Sequence, residues 1–324
     1  MEKSTLNNTK SSVARIVRII LFILVGVIII DIGIILTNTD PVKFNKDEQS
    51  TGNGQSTLLN TMDAWTEFCN PMREIDYLNV TPHLFGKYTI NAHVFDLTKP
   101  IIVGGKDNVT FSVALSKIKI SRDDDGMYGG GKDTFFKPDY GESDPKEDIS
   151  EIKKLPESAW LTVDVSTKNA RPIETIIKEA EQDNNDDNIY NDIDVDWALV
   201  DTKSEVQGGI NLLHVHGTED ACEMMTNKDT KHLHEWYMLT VKRMLTHKEF
   251  WEDLGLYTPG TNCTVYTTAD PLKKLYKYLQ KNPEMNSKYY LISGSKEEIL
   301  KYIKTHDVFG VNIRNVRLSY SAEG

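Results

Sequence analysis

Residues 290–303 read YLISGSKEEILKYI. An apolar run leads through Ser293-Gly294-Ser295, read as a small turn, into a charged stretch with helical apolar spacing. Two readings compete. A phosphate-cradling loop needs G-x-x-x-x-G-K-[ST] or G-x-G-x-x-G, and here one glycine, Gly294, is followed by Glu297 and Glu298 where phosphate charge would lie. A capping box S-x-x-E fits instead. Ser295 takes the amide three residues on, Glu298 returns to the cap amide, and both glutamates favour the positive end of the helix dipole. The stretch is a structural corner between a strand and a helix.

The same alternation of strand and helix continues on both sides of it. Upstream, AWLTVDVS (159–166) alternates as a strand, and ARPIETIIKEAEQ (170–182) is an amphipathic helix with Pro172 in its first turn. IDVDWALVDT (193–202) and INLLHVHG (210–217) read as strands, with Gly208-Gly209 as the break between them, and residues 232–254 as one long helix. A helix from Pro271 to Gln280 precedes the opening stretch, and VNIRNVRLSY (311–320) closes the chain as a strand. Nearer the N-terminus, YTINAHVFDL (88–97) and VTFSVALSKIKI (109–120) alternate with period two, and residues 121–133 and 137–148 are acidic, turn-rich loops. The fold class is α+β, with mixed α/β domains.

Residues 19–36, IILFILVGVIIIDIGIIL, hold one charge, Asp31, in 18 residues. At ~1.5 Å per residue the run nearly matches the ~30 Å hydrocarbon thickness. TNTDPVKF follows it in place of a small-residue cleavage site, so it reads as an uncleaved single transmembrane helix. Lys3, Lys10, Arg15 and Arg18 precede it, which puts the N-terminus in the cytoplasm and the rest outside the cell membrane. A carboxylate at mid-membrane costs ~2.5–3.5 kcal/mol and often marks a helix partner. Asp31 lies five residues from the outer end, where that cost is blunted, so plain tolerance stands beside partner contact.

The organisation is then a short cytoplasmic tail (1–18), the span (19–36), a polar linker (37–56), a helix plus β-rich region (57–148) and an α/β domain (149–324). The helix follows the linker, with Leu58, Met62, Trp65 and Cys69 forming one apolar stripe and Asn70-Pro71 stopping it. A formal net charge of −11 argues against a nucleic-acid partner, since phosphate binding needs a basic surface. Cys69, Cys222 and Cys263 are too few and too scattered for a disulfide framework, and one bridge with one free thiol stays open.

The candidate chemistry is sparse. His214 and His216 fall on one face of the expected strand, and His232 and His234 begin the expected long helix near Cys222 and Glu235. Four such groups suit zinc, but i,i+2 spacing on a helix separates the second pair. Surface histidines are the simpler reading. DNNDDNIYNDID (183–194) places Asp183, Asn185 and Asp187 as a calcium loop would, yet has Asn188 where glycine is wanted and Asp194 where glutamate is wanted. No G-x-S-x-G or H-E-x-x-H is present. No catalysis and no cofactor are expected.

The order of features resembles a family: the membrane-anchored anti-sigma factors of Gram-positive bacteria that regulate extracytoplasmic-function sigma factors, with their sigma-factor-regulator outer domains. The likeness lies in QSTGNGQSTLLNTMDAWTEFCNP, KKLPESAWLTVDVSTKNARPIETI, DVDWALVDT and YYLISGSKEEILKYIKTHDVFGVNIRNVRL. It covers about residues 44–70 and 150–320. It implies an outer domain that senses or relays envelope signals, with the membrane, a sigma factor or a separate anti-sigma subunit as partners. The family's cytoplasmic sigma-binding domain has no counterpart in residues 1–18, which are too short for several helices. A partner subunit held through the span, at Asp31, is the expectation that follows. An extracytoplasmic metal- or ligand-binding protein using His214 and His216 is the alternative.

Overall fold

The computed structural model describes residues 2–37, 57–69, 73–83, 87–96, 106–114, 117–120, 145–182, 193–213, 227–246, 248–253, 256–257 and 265–318. Helix α1 (Glu2–Thr37) contains the apolar run. Within it Arg15–Gly33 is long and apolar enough to cross a membrane, with a mean hydropathy of 2.8 and none of the window buried. Helix α2 (Thr57–Cys69) opens the folded part.

Strands β1 (Arg73–Pro82), β2 (Tyr88–Asp96), β3 (Lys106–Ala114) and β4 (Lys117–Ile120) follow as an antiparallel meander in that order. The stretch 109–120 was expected as one strand, and it is a hairpin: Ala114 stands opposite Lys117 and Phe111 opposite Ile120. No glycine or proline marks the reversal, but the apolar phase does flip there, from odd positions (Phe111, Val113) to even ones (Ile118, Ile120), as one face of a hairpin requires.

The second sheet is built from β5 (Ala159–Pro172), β6 (Asp194–Leu199), β7 (Gly209–Asn211), β10 (Asn286–Ser295) and β11 (Val308–Leu318). Its order is β11-β5-β10-β6-β7, every neighbour antiparallel. Central β10 is the opening stretch of the sequence. Ser293, Gly294 and Ser295, expected as a turn, are its last three rungs, opposite Thr162, Leu161 and Trp160. The chain passes from strand to helix α8 (Lys296–Thr305) with no turn between. Small turn-forming residues stay extended here because β5 pairs with all three, and β6 also pairs with Ser293.

Other boundaries shift for similar reasons. Pro172 is the last residue of β5, opposite Asn286, and α4 (Ile173–Gln182) starts after it. Ile173 N–H donates to Met285 O at 2.9 Å, which fixes that junction. Helix α3 (Pro145–Lys154) begins inside the expected acidic loop, and the 148/149 domain boundary falls within it. Pro145 at its start and Glu147 and Asp148 in the first turn are favourable N-terminal residues. The expected 232–254 helix is two helices, α5 (Thr230–Thr246) and α6 (Lys248–Glu252). Helix α7 (Asp270–Leu279) and a small ladder of β8 (Leu256–Tyr257) with β9 (Val265–Tyr266) complete the described chain.

The five-stranded sheet is buried on both faces. Leu161, Val163, Val165, Tyr290 and Ile292 share one core with Ile176 and Ile177 of α4 and with Ile299 and Tyr302 of α8. On the other face, Trp197, Leu199 and Leu291 form a second apolar cluster beside Tyr289. Helix α2 packs against that side at β7, and also on β1 and α5.

Candidate functional site

The junction of α2 with the rest of the fold is built from several elements, β1, β7 and α5. Of the stripe, Met62, Trp65 and Cys69 are buried as their spacing predicts, while the burial of Leu58 lies outside what is described; Thr61, Asp63, Ala64, Thr66 and Phe68 are buried too. A helix covered from several sides needs its polar groups satisfied. Thr66 Oγ1 donates to Met62 O at 2.8 Å. The Glu67 carboxylate accepts Asn211 N–H at 2.9 Å, and Glu67 O accepts the Trp197 indole N–H at 3.0 Å. Phe68 stacks on Tyr237 of α5, with centroids 6.0 Å apart, while Tyr237 donates to Gly208 O at 3.1 Å. Burial lowers the Arg243 pKa, and the carboxylates Glu67 and Asp63 raise it back in part.

Gly208 and Gly209 fall at the expected break between strands. Their role is close approach. A Cβ on Gly208 would lie 2.3 Å from the Phe68 ring, and one on Gly209 would lie 1.7 Å from the Trp197 indole. The glycine pair lets an aromatic from α2 and one from β6 lie flat against β7.

A second polar group lies between β5, β6, β10 and β11. Asp196 is buried beside Ser293, whose Oγ donates to its Oδ1 at 2.8 Å. Burial pushes the Asp196 carboxyl up to about 7; Asp194 adds to the rise, and Ser293, Arg317 and Lys228 oppose it. On β5, buried Asp164 accepts from Arg314 Nε of β11. The sequence signal for both aspartates was there: each stands inside an apolar strand core, VDV and VDW.

A third group ties α4, α8 and β5 together. Arg171 donates to both oxygens of Glu179, and His306 Nε2 stands 3.4 Å from the same carboxylate. Tyr290 and Tyr302 hydroxyls meet at 3.1 Å, and burial raises both their pKa values. Glu174, in the first turn of α4, accepts from Thr230 N–H at 2.8 Å and Thr230 Oγ1 at 2.7 Å. The bond from Lys178, and after it these two from Thr230, bring its carboxyl down to about 2. They join α4 to the start of α5.

The residues singled out from the sequence are placed as follows. Ser295 caps α8, its hydroxyl accepting Glu298 N–H at 3.3 Å, while the Glu298 carboxylate meets Lys301 at 3.4 Å. His232 bonds Asp229 at 2.8 Å and His234 bonds Leu279 O at 2.9 Å, so these two serve separate structural contacts. Strand β7 ends at Asn211, and His214 and His216 lie outside the described residues, as do Cys222, Cys263 and positions 183–192 of the calcium-like loop. Cys69 is buried and in no disulfide among the described residues. Among the described residues, no group of three His, Cys, Asp or Glu side chains is placed to hold a metal. Asp31 is half-buried on α1, and its Oδ1, screened from the surface, has no hydrogen-bond partner. Compared with protein-family models, curated proteins and solved structures, the chain matches none.

Proposed function

We propose that this chain is a single-pass membrane regulator whose folded part, outside the cell membrane, relays envelope signals in the control of an extracytoplasmic-function sigma factor. It acts alone or with a membrane partner, and by binding rather than catalysis. The observation that carries the reading is the position of α2. This helix follows the apolar, uncovered α1 by one linker, and it is built into the folded part through β1, β7 and α5. A partner or ligand that shifts the domain between states shifts the seat of α2, and with it the pull on the span. The sigma-factor assignment rests on the ordered resemblance of residues 44–70 and 150–320.

The test is genetic and topological. Deleting the gene, or truncating the chain after residue 56, is expected to change transcription from the promoters of one extracytoplasmic-function sigma factor. A protease added outside intact cells is expected to remove the folded part. Unchanged transcription across all such regulons under envelope stress sinks the regulatory reading, and protection from the protease sinks the topology.

A further inference from the structure

Asp31 is the one charged side chain in the 18 apolar residues 19–36. Thirteen residues separate it from Arg18 and six from the helix end at Thr37, or roughly 20 Å and 9 Å along the axis. The carboxylate therefore lies inside a hydrocarbon layer ~30 Å thick. Aspartate has a single methylene, so it lacks the long stem by which Lys and Arg reach the headgroups. Its Oδ1 is closed off without a hydrogen-bond partner, and no described part of the chain covers this helix. Leu24, Val27 and Ile28 stand seven, four and three residues before it and share its face. They are 54%, 42% and 53% exposed, an apolar surface around one acid.

We propose that α1 pairs in the membrane with a second span that carries one Lys or Arg at the depth of Asp31, docked on the face of Leu24, Val27 and Ile28. This rests on the reading of α1 as a membrane span. Charge complementarity selects the occupant. A second copy of the chain would bring another carboxylate to the same depth, and like charges in low dielectric oppose each other. A cation at that depth neutralises the acid and supplies the donors its oxygens lack. The contact also fixes register, since a basic residue one turn higher or lower meets only aliphatic side chains.

The full-length chain, fused at its N-terminus to a fluorophore, is co-expressed in bacterial membranes with a labelled 20-residue Leu/Ala probe span. The probe carries one Lys at the matched depth, one Lys two turns away, or none. Energy transfer to the matched-Lys probe is expected to reflect association about tenfold tighter than to the Lys-free probe. Asp31→Leu is expected to abolish the difference, with membrane levels of the chain unchanged. Equal transfer to all three probes, an unaltered preference in Asp31→Leu, or stronger transfer between two copies of the chain than to the matched probe would each overturn the proposal. Sigma-dependent transcription plays no part in this readout. Matched pairing without any effect of gene deletion on transcription removes the regulatory reading alone, and loss of pairing with an intact deletion effect removes this inference alone.

Discussion

Helices α1 and α2 stand on either side of one linker, and their compositions mislead in opposite directions. The α1 window is apolar almost throughout and no described residue covers it: Phe22 is 78% exposed and Ile29 63%. Helix α2, TLLNTMDAWTEFC, mixes apolar residues with Thr, Asp and Glu, yet it is buried on nearly every side from Thr61 onward. Burial is a property of partners as well as of composition. An all-round apolar helix belongs either in the core of a large protein or across a membrane. A mixed helix can enter a core only where each polar group meets a donor or acceptor, as Thr66 and Glu67 do.

The largest test of this contrast is truncation of the α2 anchors. Trp65 and Phe68 are almost wholly enclosed. Trp65→Ala or Phe68→Ala is expected to destabilise the folded part by ~3–5 kcal/mol, through lost transfer energy and the cavity left behind. Denaturant unfolding of the detergent-solubilised full chain, followed by tryptophan fluorescence for Phe68→Ala and by circular dichroism for both, measures it. A loss under 1 kcal/mol in either variant would mean that α2 is a peripheral strap. Gly209→Ala should be comparably harmful, since the new methyl enters the Trp197 indole.

Next in size is a pH effect from the sheet. The Asp196 carboxyl holds its proton to about 7 in the folded chain, against ~3.9 for an unfolded aspartate. Between those values the folded state keeps a proton that the unfolded chain has lost. Its stability therefore falls as pH rises through the window and levels off above it. Asp196→Asn keeps the acceptor for Ser293 and removes the titration. The two unfolding curves should coincide near pH 4 and separate with rising pH, the variant ending more stable by on the order of 2 kcal/mol at pH 8. Curves that stay parallel across this range would refute the buried-acid account. Glu174 has the opposite sign. Its carboxyl titrates at about 2 when folded, so its contribution is present above the unfolded value near 4.3 and fades in acid.

A smaller effect is expected at the strand-to-helix junction. Ser295→Ala removes the hydroxyl that accepts Glu298 N–H, at a cost of about 1 kcal/mol. Ser295→Asp keeps an acceptor and should recover most of it, as seen in the same melts. No difference between the alanine and aspartate variants would assign the loss to ladder packing instead of the cap.

Much of this architecture was legible in the sequence, and the misses share a cause. The apolar run of α1 is local, and so are the stripe of α2 with its Asn70-Pro71 stop and the Ser295 half of the cap, whereas the Glu298 carboxylate meets Lys301. What could not be read depends on residues far away in the chain. Ser293, Gly294 and Ser295 are turn formers by local preference, but rungs to Thr162, Leu161 and Trp160 hold them extended. The all-round burial of α2 needs β1, β7 and α5, the last of which begins 161 residues after Cys69. Asp164 and Asp196 are flanked by apolar strand residues, which the sequence shows, but their burial depends on the neighbouring strands that enclose them. The zinc reading of His232 and His234, already weakened by their i,i+2 spacing, meets two histidines with separate partners, one of them the Leu279 carbonyl on α7.

The smallest predicted effect is the sharpest comparison of the two helices. Phe22→Ala removes from α1 a ring as large as the one Phe68→Ala removes from α2. If the α1 window packs on nothing in the folded part, the folded part should unfold at the same denaturant concentration with and without Phe22, within ±0.5 kcal/mol. The ring at position 68 is enclosed by Tyr237 and the Gly208 backbone, so its loss empties a cavity; the ring at 22 exchanges one set of lipid or detergent contacts for another. A shift above 1 kcal/mol for Phe22→Ala would mean that α1 folds back onto the domain. The relay proposed above would then need a new geometry, because the span would be part of the core that it is supposed to report on.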